Sequence, residues 1–247
     1  MKLRELLTGI PIQSSTADLE TEITGVSYDS RATKPGDLFV AMTGFATDGH
    51  KYIGTALEKG AAAVLCQQLP AADCAYIQTA DSRRALAVIG TNWFGHPAKE
   101  MTMIAVTGTC GKTTTTYLLK AILEQAKGAK VGLIGTNQNM IGQEIIPTER
   151  TTPESFEVQK LFREMADAGC THVVMEVSSH ALALDRVHGL AYTIAAFTNL
   201  SRDHLDFHGA MEDYAAAKEA YDAAHSGFYA AANAAAARHV GSRSISA

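Results

Sequence analysis

The chain has 247 residues, of which 47% are hydrophobic and 19% charged, and its formal net charge is −5. Lysine and arginine are scattered, so no basic stripe predicts nucleic-acid binding, and no apolar run approaches the about 18 residues of a membrane span. We therefore expect a cytoplasmic monomer of one or two globular domains that acts on small molecules, with no nucleic-acid or membrane partner.

The first part of the chain alternates short apolar runs with helical patterns. Strands are predicted in EITGVSYDS, GDLFVAM, AAAVLCQ and CAYIQ, and helices in YIGTALEKG and SRRALAVIGTNWFG. The segment HPAKE at 96–100 then brings a proline and charges between two apolar segments, which is typical of a linker. We place a domain boundary near residue 99, which divides the chain into 1–99 and 100–247.

The second part restarts with the apolar run MTMIAVTG, and a helix is predicted in TTTTYLLKAILEQA from its apolar positions Leu118, Leu119, Ile122 and Leu123. KVGLIGT, THVVMEVSS and YTIAAFTNL are three more buried-strand candidates, and PESFEVQKLFREMADAG is a helix candidate between the first two. This alternation predicts an α/β fold with a doubly wound parallel sheet. The four cysteines are far apart and predict free thiols.

A phosphate-binding loop is predicted between the first of these strands and its helix. The segment VTGTCGKTTTTYLL at 106–119 contains Gly-Lys-Thr, although Val106 stands where the pattern G-x-x-x-x-G-K-[ST] has glycine. In such a loop Gly108 and Gly111 allow close approach of the backbone, Lys112 supplies charge and Thr113 binds magnesium. The alternative is a plain strand-to-helix turn with Thr109 as the N-cap.

The loop resembles that of the Mur ligases, whose shorter form G-T-x-G-K-[ST] needs no glycine at position 106. Three further segments resemble the same family in its own order: DSRATKPGDLFVAMTGFATDGHKYI, MEVSSHAL and TNLSRDHLDFHG. The resemblance covers residues 20 to about 218. It implies an N-terminal α/β UDP-substrate domain followed by a P-loop-type, parallel-sheet ATP-binding domain. The latter is expected to be incomplete, with an atypical alanine-rich end from residue 219.

The resemblance implies ATP and Mg²⁺ as cofactors. It assigns nucleotide binding to Gly108, Thr109, Cys110, Gly111, Lys112, Thr113, Thr114 and Thr115. Glu176 follows an apolar run and is expected at the carboxyl end of a parallel strand, where a carboxylate can hold magnesium. The implied metal ligands are Thr113, Glu176, His204 and a Lys218 carbamylated by carbon dioxide, and the implied catalytic residues are Lys112, Glu176, His204 and Lys218.

Substrate contacts are expected in both domains. Ser30 follows a strand in YDSR, where the bland interpretation is a turn with Asp29 folded onto its own backbone. His50 reads as an exposed loop histidine, and Thr152 reads as the cap of a helix with Pro153 in its first turn. The resemblance instead assigns the UDP-muramoyl substrate to Ser30, Phe45, Ala46, Thr47, Thr151, Thr152, Ser178 and Arg186.

Within the family, the match is nearest to the branch that adds the third amino acid of the peptidoglycan stem peptide. This implies that ATP converts UDP-N-acetylmuramoyl-L-Ala-D-Glu to an acyl phosphate, which the amine of meso-diaminopimelate or L-lysine attacks. Family members carry a third domain for that amino acid, so we expect a truncated chain that binds substrate without ligating. The density of Asp203, His204, Asp206 and His208 keeps a metal-dependent hydrolase open, and an inactive nucleotide-binding fragment is the other alternative.

Overall fold

A computed structural model of the protein describes residues 1–44, 47–203 and 205–223. The chain forms two compact units, Met1–Gly95 and His96–Ala247. Residue 99, where the sequence predicts a domain boundary, lies in the short 3-10 helix Pro97–Glu100 of the second unit. Among the helices of the described ranges, none combines the length and the apolar character needed to cross a membrane.

The first unit is built on a five-stranded sheet. Its strands are β1 (Ile12–Ser15), β2 (Gly25–Ser27), β3 (Asp37–Val40), β4 (Ala63–Cys66) and β5 (Tyr76–Thr79). They lie in the order β1-β5-β4-β3-β2, and all neighbours are parallel except β1 and β5. The helices are α1 (Leu3–Leu6), α2 (Ile53–Glu58) and α3 (Ser82–Trp93), with a 3-10 helix at Gly49–Tyr52.

Strand β1 was not predicted. Its four residues are mostly exposed, so they lack the apolar run or alternation by which a strand is recognised in sequence. In contrast, every residue of β3 and β4 is buried, as the continuous apolar runs predicted.

The second unit contains a six-stranded sheet with helices on its faces. Its strands are β6 (Thr102–Thr107), β7 (Val131–Ile134), β8 (Asn139–Ile141), β9 (Glu144–Ile146), β10 (His172–Glu176) and β11 (Ile194–Phe197). The order is β11-β6-β10-β7-β8-β9, in which the first four strands are parallel and the β8–β9 hairpin is antiparallel. The helices are α4 (Lys112–Lys127), α5 (Ser155–Asp167), α6 (Ser179–Ala183), α7 (Leu205–His208) and α8 (Met211–Ala223). The predicted α/β class is confirmed.

The two faces of this sheet bury different helices. Met103 and Met175 pack on one face with Phe162 of α5, whereas Ile104 and Val174 pack on the other with partly buried residues of α4. The alternation follows from the period of two along each strand. On α4 the packed residues include Leu119 and Leu123. The other two apolar residues of the predicted stripe, Leu118 and Ile122, are 59% and 58% exposed.

Because β11, β6, β10 and β7 are parallel, the segments that follow them emerge at one edge of the sheet. Those segments begin at residues 198, 108, 177 and 135. In open α/β sheets ligands bind at this carboxyl edge. The topology therefore brings together four stretches that are distant in sequence.

Candidate functional site

The phosphate loop joins β6 to α4 and is shaped by two glycines. Gly111 is the N-cap of α4 with φ +85°, and Gly108 has φ +132°. A Cβ at Gly108 would overlap Thr198 Oγ1, so the backbone of the loop approaches the segment after β11 too closely for a side chain. The alternative with Thr109 as the N-cap is wrong, since Gly111 occupies that position.

Lys112 begins α4 and folds back over the loop. Its Nζ donates to the carbonyl oxygens of Gly108 and Thr109, both at 2.9 Å. The first turn of α4 also presents the N–H groups of Lys112, Thr113 and Thr114, which have no earlier carbonyl in the helix to bind. An ammonium, free N–H groups and the positive end of a 16-residue helix together favour an anion such as a phosphate.

Two residues after β11 form hydrogen bonds with the backbone of the loop. Asn199 accepts from Thr109 N through its carbonyl oxygen at 2.8 Å and from Cys110 N through Oδ1 at 3.0 Å. Thr198 Oγ1 donates to Cys110 O at 2.7 Å, and Asn199 Nδ2 donates to the same oxygen at 3.0 Å. Sequence reasoning did not assign these two side chains a role, although both lie in the segment TNLSRDHLDFHG.

Glu176 ends β10 with a completely buried carboxylate. Its Oε1 accepts from Thr136 N at 3.0 Å, and its Oε2 accepts from the hydroxyls of Thr113 and Thr136, each at 3.0 Å. A carboxylate beside two hydroxyls offers the hard oxygen ligands that Mg²⁺ prefers, next to the loop that would hold phosphates. These residues therefore fit a magnesium ion. Thr136 was missed because nothing marks a threonine after an apolar strand.

The segment with the paired threonines lies against the same strand end. Thr152 Oγ1 donates to Glu176 O at 2.8 Å and accepts from Ser178 N at 3.2 Å, while Thr151 Oγ1 lies 3.1 Å from Thr136 Oγ1. The expected cap is corrected, because α5 begins at Ser155 and its N-cap is Glu154. Thr152 is instead bound to the backbone of the neighbouring strand, which its sequence position could not reveal.

Arg186 binds the segment that contains Thr152 and Glu154. Its Nη1 donates to Thr152 O at 3.0 Å, and its Nη2 lies 2.9 Å from Oε1 of Glu154, which is itself buried. Ser178 caps α6, where its Oγ accepts from Ala181 N at 3.1 Å. The second unit thus gathers Thr151, Thr152, Ser178 and Arg186 around the end of β10.

Two family profiles match this chain. Residues 106–237 match the Mur ligase middle domain, and residues 22–102 match the profile described as the Mur ligase family, catalytic domain. The chain belongs to the Mur ligase family. The family resemblance found in the sequence motifs is therefore confirmed.

Individual relatives carry a more specific name. The chain is 52% identical over 198 residues to the UDP-N-acetylmuramoyl-L-alanyl-D-glutamate–2,6-diaminopimelate ligase of Clostridium botulinum, covering 78% of this chain and 41% of the relative. It is 49% identical over 222 residues to the same-named protein of Caldanaerobacter subterraneus, covering 88% and 45%. A solved structure with that name has a TM-score of 0.72 at 30% identity, over 88% of this chain and 44% of that one. The chain thus spans less than half the length of these relatives.

Other residues predicted for this Mur ligase chain have the following places. Thr47 is exposed and Ser30 is buried. Asp29 forms the expected turn by accepting from Arg31 N at 2.9 Å, and hydrogen bonds from Arg31 lower the pKa of Asp29.

Phe45, Ala46 and His204 lie outside the described residues. Lys218 belongs to α8, and its side chain lies outside the description. The described residues contain no group of three or more His, Cys, Asp or Glu side chains that could hold a metal.

His50 is not an exposed loop residue, as the sequence led us to expect. Its side chain is only 8% exposed, and Nδ1 lies 2.6 Å from Oδ1 of Asp48. Nε2 accepts from the N–H groups of Gln67 at 3.0 Å and Gln68 at 3.3 Å, so the proton of the neutral ring must be on Nδ1 and donated to Asp48. The ring therefore ties the segment that contains Thr47 to the end of β4.

Replacing His50 by alanine is expected to destabilise the first unit by about 1–3 kcal/mol, because the Gln67 and Gln68 N–H groups lose their acceptor. Urea unfolding measures this, and the more exposed His188 provides the control as His188→Ala. Hydrogen bonds from His50 lower the pKa of Asp48, so in wild type their stabilisation is present above the ordinary value of 3.8 and is lost as pH falls below it. Equal stability of the two variants would contradict this assignment.

Cys110 is an exposed thiol within the phosphate loop, and all four cysteines are free as predicted. Burial raises the pKa of the Cys66 thiol to about 11. At pH 8 we expect iodoacetamide to modify Cys110 first, because its side chain is exposed. Cys66 should react very slowly, because only a thiolate reacts and the raised pKa keeps this thiol protonated. Bound ATP should slow the reaction at Cys110. Peptide mass mapping with and without nucleotide measures this, and ATP binding that survives alkylation would exclude a functional thiol.

Proposed function

We propose that this chain forms the substrate- and nucleotide-binding part of an ATP-dependent ligase of peptidoglycan synthesis. The reaction is the addition of an amino acid to UDP-N-acetylmuramoyl-L-alanyl-D-glutamate, and the names of the relatives favour 2,6-diaminopimelate over L-lysine. The observation that carries the proposal is the buried Glu176 carboxylate held by Thr113 and Thr136 beside a phosphate loop. A cytoplasmic monomer remains our expectation.

ATP supplies a phosphoryl group that converts the terminal substrate carboxylate to an acyl phosphate. This activation makes attack by the amine possible, because phosphate is a far better leaving group than oxide. The N-terminal turn of α4 binds and orients the phosphates, and Lys112 neutralises part of their charge. Thr113 and Glu176 would hold Mg²⁺. Positioning of two reactants and charge stabilisation are the main demands of phosphoryl transfer, so no nucleophile from the chain is needed.

Substrate binding is assigned to two sets of residues. Thr151, Thr152, Ser178 and Arg186 surround the end of β10, and hydroxyls and a guanidinium suit the muramoyl and diphosphate oxygens of the substrate. To bind substrate directly, Thr152 and Arg186 would have to exchange bonds that they now make within the chain. Ser30 and the stretch from Phe45 to Thr47 would bind the uridine end. The support for this second set is the family resemblance alone.

Lys218 as a carbamate and His204 would complete the metal ligands. A carbamate turns the lysine cation into an anionic oxygen ligand, which can approach magnesium where an ammonium would be repelled. The support for Lys218 is its place on α8, one helical turn after Tyr214, whose hydroxyl lies 2.9 Å from Thr109 of the phosphate loop. His204 rests on the resemblance.

The test is ADP release by the purified chain, alone and extended to the length of its relatives. Release by the extended protein that needs UDP-N-acetylmuramoyl-L-alanyl-D-glutamate and diaminopimelate supports the ligase, and lysine in place of diaminopimelate identifies the other amino acid. Ester or phosphate hydrolysis without ATP would instead establish a hydrolase. Nucleotide binding without turnover by the extended protein would leave only a binding function.

A further inference from the structure

Tyr214 links helix α8 to the phosphate loop. Its side chain is only 1% exposed, and its hydroxyl lies 2.9 Å from Oγ1 of Thr109, a residue 105 positions earlier in the chain. Burial raises the pKa of this phenol, so it keeps its proton at neutral pH. A buried, protonated hydroxyl therefore contacts the loop.

Thr109 makes two further hydrogen bonds that leave a position for the Tyr214 hydroxyl. Oγ1 accepts from Ser201 N at 3.0 Å and lies 3.2 Å from Ser201 O, to which its single proton can be donated. One acceptor position is then left on the threonine oxygen. The Tyr214 hydroxyl can donate to that position, so Oγ1 of Thr109 has three partners.

The same face of α8 continues to Lys218. Residues four apart on a helix lie one above the other, so Lys218 follows Tyr214 by one turn along this face. The Tyr214 ring also packs near His208, with ring centroids 5.2 Å apart. The ring of Tyr214 is buried, whereas its hydroxyl contacts Thr109 and so sets the distance between α8 and the loop.

We propose that Tyr214 is a positioning residue that couples the conformation of the phosphate loop to the placement of α8, and thereby of Lys218. The inference rests on the proposed nucleotide role of the loop. The hydrogen bond holds Thr109 through its side chain while Asn199 holds its N–H group. A ligand that orders the loop then favours the position of α8 that is seen here, and carbamylation of Lys218 favours the loop conformation in return.

The main experiment is a double-mutant cycle on the affinity for Mg²⁺ and the non-hydrolysable analogue AMPPNP. Tyr214→Phe keeps the ring and removes the hydroxyl, and we expect it to weaken binding about three- to tenfold. In a Thr109→Val background the same change should have no further effect, because its partner is gone. Tyr192→Phe is the matched control, since that hydroxyl contacts Met175 Sδ of β10 instead of Thr109, and it should bind as wild type does.

A second measurement requires no nucleotide. Amide exchange of Thr109 and Cys110 should be faster in Tyr214→Phe than in wild type or Tyr192→Phe. Unchanged exchange, or a binding loss that persists in the Thr109→Val background, would reduce Tyr214 to core packing and overturn the inference. If wild type fails to bind AMPPNP, the proposed function of the loop is wrong, and the exchange rates still decide the role of Tyr214.

Discussion

Replacing Glu176 by glutamine is expected to weaken Mg²⁺-dependent ATP binding by about 100-fold, since the loss of a metal ligand should cost at least as much as the loss of its supporting partners. The fold should tolerate the change. The amide oxygen can still accept from Thr136 N, and the hydroxyls of Thr113 and Thr136 can rotate to accept from the amide nitrogen. Removing a buried charge also relieves its desolvation cost.

Calorimetric titration of ATP with and without Mg²⁺ measures this effect for Glu176→Gln and for Glu164→Gln, a glutamate of α5 whose side chain is 43% exposed. Only Glu176→Gln should lose the gain in affinity that the metal brings. If both variants keep that gain, the carboxylate at the end of β10 holds no magnesium. A fall in the melting temperature of Glu176→Gln alone would assign the residue to the fold.

Gly108→Ala is expected to destabilise the second unit by about 2–5 kcal/mol and to abolish nucleotide binding. The positive φ costs an alanine about 1–2 kcal/mol, and overlap in a packed site adds about 1–3 kcal/mol. The new Cβ would overlap Thr198 Oγ1 and lie 3.0 Å from Asn199 N. Since Asn199 is fixed by its bonds to Thr109 and Cys110, relief requires movement of the loop itself.

Gly128→Ala is the matched control, because Gly128 lies at the other end of α4 with φ +61° and open space around its Cβ position. It should cost about 1–2 kcal/mol and leave ATP binding intact. Hydrogen exchange of the β6 and β10 amides reports the stability of the second unit independently of the first. Equal losses in the two variants would refute the close approach at Gly108.

Much of the site is readable in the sequence because its signals are local. An apolar strand followed by Gly-Lys-Thr predicts both the loop and the helix, and a carboxylate after an apolar strand predicts a ligand at the sheet edge. Lys112, Thr113 and Glu176 were all assigned in this way. Their roles remain predictions, but the structure brings them to one edge as the parallel topology requires.

Residues that act through partners far along the chain were not readable. Thr136, Asn199 and Tyr214 reach Glu176, Cys110 and Thr109 across 40, 89 and 105 positions, and no local pattern records such a pairing.

Which side chains are buried and which are exposed could not be read from the sequence either. His50 is enclosed by the end of β4, while Leu118 and Ile122 of an apolar stripe are left exposed. Periodicity and motif spacing therefore predicted the buried parallel strands, the longer helices and the phosphate loop, but not the exposed strand β1. Only the tertiary structure decided which side chains support them, because hydrogen bonds and burial depend on neighbours that folding brings together.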